Sequence, residues 1–191
     1  KKQSIEKIRQ AYLCGQKSFG ENFLQEALDK MQKLADLNIE WHFIGQIQTN
    51  KTRKIAENFH WVQSIADLKI ARRLDEQRPT GLQPLNICMQ VNLDGEANKA
   101  GITLADCEQF ACELTEFSRL KLRGLMAIPK PHSQFADQLA VFKQLNRAYV
   151  TLKQQGFMLD TLSMGMSNDF PAAIAAGANL IRLGTAIFGR R

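Results

Sequence analysis

Cysteine and histidine are scarce in this 191-residue sequence, with four of the first and three of the second. Cys14, Cys88, Cys107 and Cys112 form no CxxC pair, and the three histidines add no metal-ligand spacing, so the residue pattern speaks against a zinc site. The cysteines read as reduced, buried thiols, which points to the cytosol. No apolar run reaches the roughly 20 residues that a membrane-spanning helix needs. The opening Lys1-Lys2-Gln3-Ser4-Ile5 lacks both an initiator Met and the apolar core of a signal peptide, so further residues upstream are expected. Aromatic residues are also few, at 8%, and none interleaves with the scattered basic groups Lys51, Arg53, Lys54, Arg72, Arg73, Arg119, Lys121 and Arg123. Without an aromatic platform, the net charge of +6 reads as solvated helix faces rather than a nucleic-acid surface. A small anionic ligand uses the same charge more economically.

What is present is a regular alternation of extended and helical patterns without a linker, in one domain over residues 1–191. Extended segments are expected at 18–20, 39–44, 60–65, 85–92, 120–128, 159–163 and 179–183, rich in branched and aromatic residues. Helical periodicity occupies 5–15, 21–34, 49–58, 68–74, 104–117, 135–152 and 171–177, with Gly15 and Gly177 as stops and Pro171 in a first turn. Seven strands, each followed by a helix with only the last left open, imply parallel βαβ units. Because the chain opens on a helix, an eighth strand is expected just before Lys1, completing an α/β fold of the (β/α)8 barrel type, the TIM barrel. An open doubly wound sheet is the competing architecture.

Residues with chemical potential gather late in the chain, after the last two strands, where many barrels bind phosphate. In Asn179-Leu180-Ile181-Arg182-Leu183-Gly184-Thr185, alternation turns Leu180 and Arg182 inward and Ile181 and Leu183 toward the helices. An arginine inside a barrel needs a partner, and a structural ion pair is the plain alternative to a ligand contact. Gly184 and Thr185 then offer backbone N–H groups and a hydroxyl at a helix start. Ser163-Met164-Gly165-Met166-Ser167 supplies a second loop, in which Ser167 either contacts a phosphate or caps the helix through Ala172-Ala173-Ile174. Asn22 follows a strand end and points into the barrel mouth or bonds nearby backbone. His42 lies opposite Trp41 and Phe43 and reads as a satisfied core histidine before an acid or base. Gln90 and Asn92 share the polar face of their strand.

Five blocks taken together resemble the YggS/PROSC family of pyridoxal phosphate-binding proteins. They are Phe19-Gly20-Glu21-Asn22, Glu40-Trp41-His42-Phe43-Ile44-Gly45 with Gln48, Asn50 and Lys51, Gly124-Leu125-Met126-Ala127-Ile128-Pro129, Leu162-Ser163-Met164-Gly165-Met166-Ser167, and Arg182-Leu183-Gly184-Thr185-Ala186-Ile187-Phe188-Gly189. The family is similar to the barrel domain of bacterial alanine racemase. The resemblance implies pyridoxal 5′-phosphate as cofactor, held as a lysine Schiff base. The family's lysine lies eighteen residues before the phenylalanine of the first block, which here is Lys1, with Lys2 one residue out of register. The family often continues Thr-Lys-Pro after this lysine, where this sequence has Lys2-Gln3-Ser4. Carried over residue by residue, Ser167, Gly184 and Thr185 hold the phosphate, Arg182 faces the pyridine nitrogen, and Asn22 contacts the ring or its hydroxyl. The resemblance further implies a cytosolic monomer that serves vitamin B6 homeostasis, with transient contacts to pyridoxal phosphate-dependent enzymes and no nucleic-acid or membrane partner. An amino-acid racemase and a phosphate-sugar barrel without a lysine adduct are the rival readings. Racemisation needs acid–base groups on both faces of a substrate carbon, and Tyr12 and Tyr149 fall on apolar helix faces, so little or no turnover is expected.

Overall fold

A computed structural model describes residues 3–95 and 100–189. Seven strands alternate with helices. They run α1 (Ile5–Leu13), β1 (Ser18–Glu21), α2 (Leu24–Lys33), β2 (Glu40–Phe43), a 3₁₀ turn (Thr49–Lys51) leading into α3 (Thr52–Asn58), β3 (Trp61–Ile65), α4 (Leu68–Gln77) and β4 (Leu85–Gln90). They continue with α5 (Cys107–Thr115), β5 (Leu120–Met126), α6 (Phe135–Gln154), β6 (Thr161–Met166), α7 (Phe170–Ala175), β7 (Leu180–Arg182) and α8 (Thr185–Phe188). Local chemistry sets several ends. Ser4 caps α1 by accepting from Lys7 N at 3.4 Å, and Asp67 caps α4 by accepting from Lys69 N at 2.7 Å. Gly15 takes a φ of +100° just beyond α1, a conformation open to glycine and costly for other residues.

All strand pairs are parallel and consecutive, in the order β1-β2-β3-β4-β5-β6-β7, and the sheet curls into a nearly closed barrel. The curl is visible in contacts that no flat sheet of this order allows. Gln63 on β3 bonds Ser163 on β6, and Lys7 on α1 reaches the Phe188 carbonyl of α8 at 3.3 Å. The doubly wound alternative is thereby excluded, since its strand order reverses within the sheet. The eighth strand expected before Lys1 lies outside the described residues, as do Lys1 and Lys2 themselves.

The main core lies between sheet and helices, where Phe43, Val62, Ile87, Met89, Leu125 and Leu162 meet Ile55, Leu74, Leu114 and Phe142. A second, small cluster of Trp61, Cys88 and Met126 fills the barrel interior. The two clusters follow from the strand period of two, which sends alternate side chains to opposite faces. Register shifts interrupt the ladders at Val62/Ile65, Ile87/Cys88 and Ser163/Met166. The last shift corrects the expected end of β6 at Ser163: the strand runs on to Met166, with Gly165 at a φ of +92° inside it. Glycine permits the irregularity without ending the pairing. The last strand also has its helix, the four-residue α8. The expectation of four buried thiols is corrected too, because Cys14 and Cys112 are exposed while Cys88 and Cys107 are buried, all four free. Cys112 lies on α5 outside its apolar stripe and Cys14 lies just past the end of α1, so both face water whatever their own polarity. Among the described residues, no helix is long and apolar enough to cross a membrane, and no cluster of three or more His, Cys, Asp or Glu is placed to hold a metal.

Candidate functional site

A cleft of about 950 Å³ runs along the barrel interior, lined from the amino ends of the strands at Ser18, Glu40 and Asp160 to the carboxyl ends at Asn22, Ser167 and Gly184. Asn22, Ser167, Arg182, Gly184 and Thr185 all line it, so the structure brings together five of the six residues singled out from sequence. The sixth, Lys1, lies outside the described residues.

Arg182 ends β7 and points inward, as strand alternation requires. Among the described residues the ion-pair alternative is not realised: Nη1 donates to Ser163 Oγ at 2.6 Å and Nη2 to the Ala127 carbonyl at 2.8 Å, both neutral acceptors. A guanidinium carries five N–H donors, so three remain without a protein partner among the described residues. Desolvation pulls the group down to about 10, partly countered by Cys88 and Asp169, and it stays a cation at neutral pH.

Ser167 does not cap the helix that follows it. Asp169 holds the N-cap position without a side-chain capping bond, and its carboxylate closes the preceding turn by accepting from Met166 N at 2.6 Å. Ser167 Oγ accepts from Gly184 N at 3.1 Å and Ala186 N at 3.2 Å, across the gap between the two loops. The reason is spatial. The parallel pairing of β6 with β7 sets the loop after one strand beside the start of α8 after the other, closer than its own helix start. With only four residues, α8 has a small macrodipole, so its N–H groups act as individual donors. Thr185 is exposed at the same lip.

Asn22 is half-buried just beyond β1, and its side chain makes no hydrogen bond to protein among the described residues. The alternative in which it bonds nearby backbone is therefore not adopted. Its backbone is held by close packing: a Cβ added to Gly45 would stand 2.0 Å from the Asn22 carbonyl oxygen, so only glycine fits there. Glu21, its neighbour, faces the helix layer and pairs with Lys30 of α2, which also bonds Glu26 at 2.6 Å.

Sequence reading passed over the residues beneath Arg182. Gln63 is buried on β3 between Ser163 Oγ at 2.6 Å and His42 Nδ1 at 2.8 Å. His42 is the satisfied core histidine that was expected: its Nε2 meets Glu40 Oε1 at 2.9 Å, and its ring stacks on Trp61 with centroids 5.2 Å apart. The available signal was a lone Gln in the otherwise compact strand Trp61-Val62-Gln63-Ser64-Ile65, on the inward parity of Trp61. Gln90, on the polar face of β4, donates to the Ala100 carbonyl at 3.0 Å.

The family model for the alanine racemase N-terminal domain matches residues 2–191. A protein of Pseudomonas aeruginosa called pyridoxal phosphate homeostasis protein is 54% identical over 184 residues, covering 96% of this chain and 79% of that one. One of the same name from Escherichia coli is 48% identical over 187 residues, covering 96% and 80%. Among solved structures, PipY of Synechococcus elongatus without pyridoxal phosphate is 40% identical with a TM-score of 0.91, covering 98% of this chain and 89% of that one. The same protein with pyridoxal phosphate bound matches at 38% identity and a TM-score of 0.90, covering 99% and 89%. Alanine racemase of Corynebacterium glutamicum, at 16% identity, a TM-score of 0.67 and coverage of 91% and 47%, shares the fold alone. With the family model spanning nearly the whole chain and close to half or more of all positions shared with those two relatives, the chain belongs to the alanine racemase N-terminal domain family, on the side of its pyridoxal phosphate homeostasis proteins.

Proposed function

We propose that this protein binds pyridoxal 5′-phosphate in the cleft at the strand carboxyl ends and serves the intracellular supply of that cofactor rather than amino-acid turnover. The observation that carries this reading is the meeting at one mouth of Ser167, with the N–H groups of Gly184 and Ala186 around its hydroxyl, and of Arg182, with three donors to spare. These are the groups that a phosphate and a ring acceptor require. The pyridoxal phosphate-bound form of PipY and the name of the Pseudomonas aeruginosa relative support it.

In this reading Ser167, Gly184 and Thr185 hold the phosphate through neutral donors. Asn22 contacts the ring or its hydroxyl, Arg182 donates to the pyridine nitrogen, and Lys1 supplies the covalent link. The cofactor itself supplies an electron-withdrawing ring, strongest as a sink when its nitrogen is protonated. Arg182 can only donate, so it disfavours that proton and weakens the sink. No tyrosine lines the cleft among the described residues, and Tyr149 spends its hydroxyl on the Leu159 carbonyl at 3.2 Å. One face of a bound substrate would thus lack the acid–base group that racemisation needs. The protein acts in the cytosol as a monomer, with transient contact to pyridoxal phosphate-dependent enzymes.

The test is direct. The purified protein should take up pyridoxal phosphate with a visible absorption band. Borohydride reduction and peptide mapping should place the adduct on Lys1. Thr185→Val, which keeps the shape and removes one hydroxyl, should weaken retention roughly threefold to tenfold, the worth of about one hydrogen bond. Alanine racemisation should stay well below an ordinary enzymatic rate of roughly 1 per second. An adduct on Lys2, or robust turnover that vanishes with Lys1, would count against the proposal.

A further inference from the structure

Along the wall of the cleft, which Arg182, Gln63, His42 and Glu40 line, hydrogen bonds cross the barrel interior from β7 to β2. Arg182 Nη1 lies 2.6 Å from Ser163 Oγ, Ser163 Oγ 2.6 Å from Gln63 Oε1, Gln63 Nε2 2.8 Å from His42 Nδ1, and His42 Nε2 2.9 Å from Glu40 Oε1. Ser163, Gln63 and His42 are all buried. With the Gln63 amide placed as it is, Oε1 accepts the hydroxyl proton of Ser163, and the Ser163 lone pairs are left to Arg182, which can only donate. The amide NH2 of Gln63 then faces His42 Nδ1, and the other ring nitrogen, Nε2, faces Glu40. Glu40 is fixed in turn by Ser18 Oγ, donating at 3.0 Å from β1.

We propose that Gln63 and His42 are positioning residues, which orient Ser163 as a pure acceptor toward Arg182 and so hold the guanidinium with its remaining donors turned to the ligand. A direct carboxylate partner would occupy the guanidinium in a two-pronged pair. The line instead sets the carboxylate of Glu40 at the far end of the barrel and inserts Ser163, Gln63 and His42 between it and the guanidinium. Arg182 is thus held without being consumed. If Gln63 could turn its amide over, Ser163 would face two donors and lose its own acceptor. The bond of Gln63 Nε2 to His42 Nδ1, on a ring anchored by Glu40 and by stacking on Trp61, opposes that turn.

The inference rests on the cofactor reading above, and one set of measurements separates the two. The full chain is loaded with pyridoxal phosphate, and the absorption maximum of the bound cofactor, its dissociation constant and the thermal midpoint are read. Gln63→Met keeps the length and removes both polar atoms, and Ser163→Ala removes the next link should that variant fold poorly. Either variant should shift the bound absorption maximum in the same direction as Arg182→Lys and weaken retention by about tenfold. In an Arg182→Lys background the same change should add less than about twofold, because its effect is routed through the arginine. A merely structural role would lower the thermal midpoint and leave the bound spectrum in place, and that outcome overturns the inference. Equal effects in both backgrounds overturn it as well. A wild-type chain that takes up no pyridoxal phosphate overturns the cofactor reading together with this inference, whereas normal uptake with an unchanged variant spectrum removes the inference alone.

Discussion

Glu40 stands at the base of the barrel, where His42 and Ser18 both donate to Oε1. These bonds favour the carboxylate, and the hydrogen bond from His42 outweighs desolvation, drawing the group down from 4.5 to about 2. A depressed carboxyl stabilises the fold above its ordinary value, and that contribution is lost as pH falls from about 4.5 through about 2. Glu40→Gln should therefore flatten the decline in urea midpoint between about pH 5 and pH 2 relative to wild type. Parallel curves would mean that other carboxyls carry the acid sensitivity. The thiols obey the same physics with the opposite sign. Burial pushes Cys88 up to about 12 and Cys107 to about 11, whereas Cys14 and Cys112 are exposed. Since the thiolate is the nucleophile, a thiol reagent at pH 8 should modify two cysteines in the native protein and four after unfolding. Native labelling of Cys88, read by peptide mass, would show an opening of the barrel interior absent from this structure.

At the scale of elements, the clamp between β1 and α2 is ionic as well as apolar. Lys30 is 5% exposed and pairs with Glu21 on the strand and Glu26 on its own helix. Removing Lys30 takes a hydrogen-bonded cation from both carboxylates at once, and breaking a buried pair costs about 3–5 kcal/mol. Lys30→Met should lower unfolding stability by roughly that amount in urea, far more than Arg9→Met, whose pair with Asp36 is exposed. Equal losses would mean that the Lys30 pair is no better coupled than a surface one. Arg78 plays a comparable part at the end of α3, donating to the Ala56 and Phe59 carbonyls at 2.6 and 2.9 Å. Both cations are local devices that tie one helix to its neighbours. The α8 start is different in kind, because its N–H groups meet Ser167 from the preceding β-α unit. That junction joins two loops at the mouth and leaves the strand ladders untouched.

Across the whole molecule, the outer core runs without a break from Ile8 to Ala176, and every strand pairs with its neighbour in sequence. Contacts this continuous give no sub-unit of the fold a core of its own, so unfolding should be a single cooperative transition. Two tryptophans sample the two layers, Trp41 among the helices and Trp61 within the barrel. Their fluorescence and the far-ultraviolet circular dichroism should change at one denaturant concentration, with a midpoint independent of protein concentration for a monomer. Separate transitions would divide the chain into independently folding parts.

The strands, their order and their parallel sense were legible from the sequence because they depend on short-range pattern. A run of branched residues reads as a strand wherever it stands, and alternation with helices leaves parallel pairing as the simple outcome. The inward side of Arg182 was legible for the same reason, since parity along β7 is a local property. The family blocks likewise named Asn22, Ser167, Gly184 and Thr185, and all four line one cleft. Tertiary structure decided who answers whom. Ser167 serves the α8 start and not the helix beside it in sequence, because parallel strands bring successive loops together at one end of the barrel. Arg182 meets a hydroxyl and a carbonyl and not a carboxylate, through partners 19 and 55 residues away. Gln63 and Ser163 lie 100 residues apart and touch only because the sheet curls on itself. Periodicity reports which face a side chain takes, but a hydrogen bond also needs a distance, and across a barrel that distance exists only after closure.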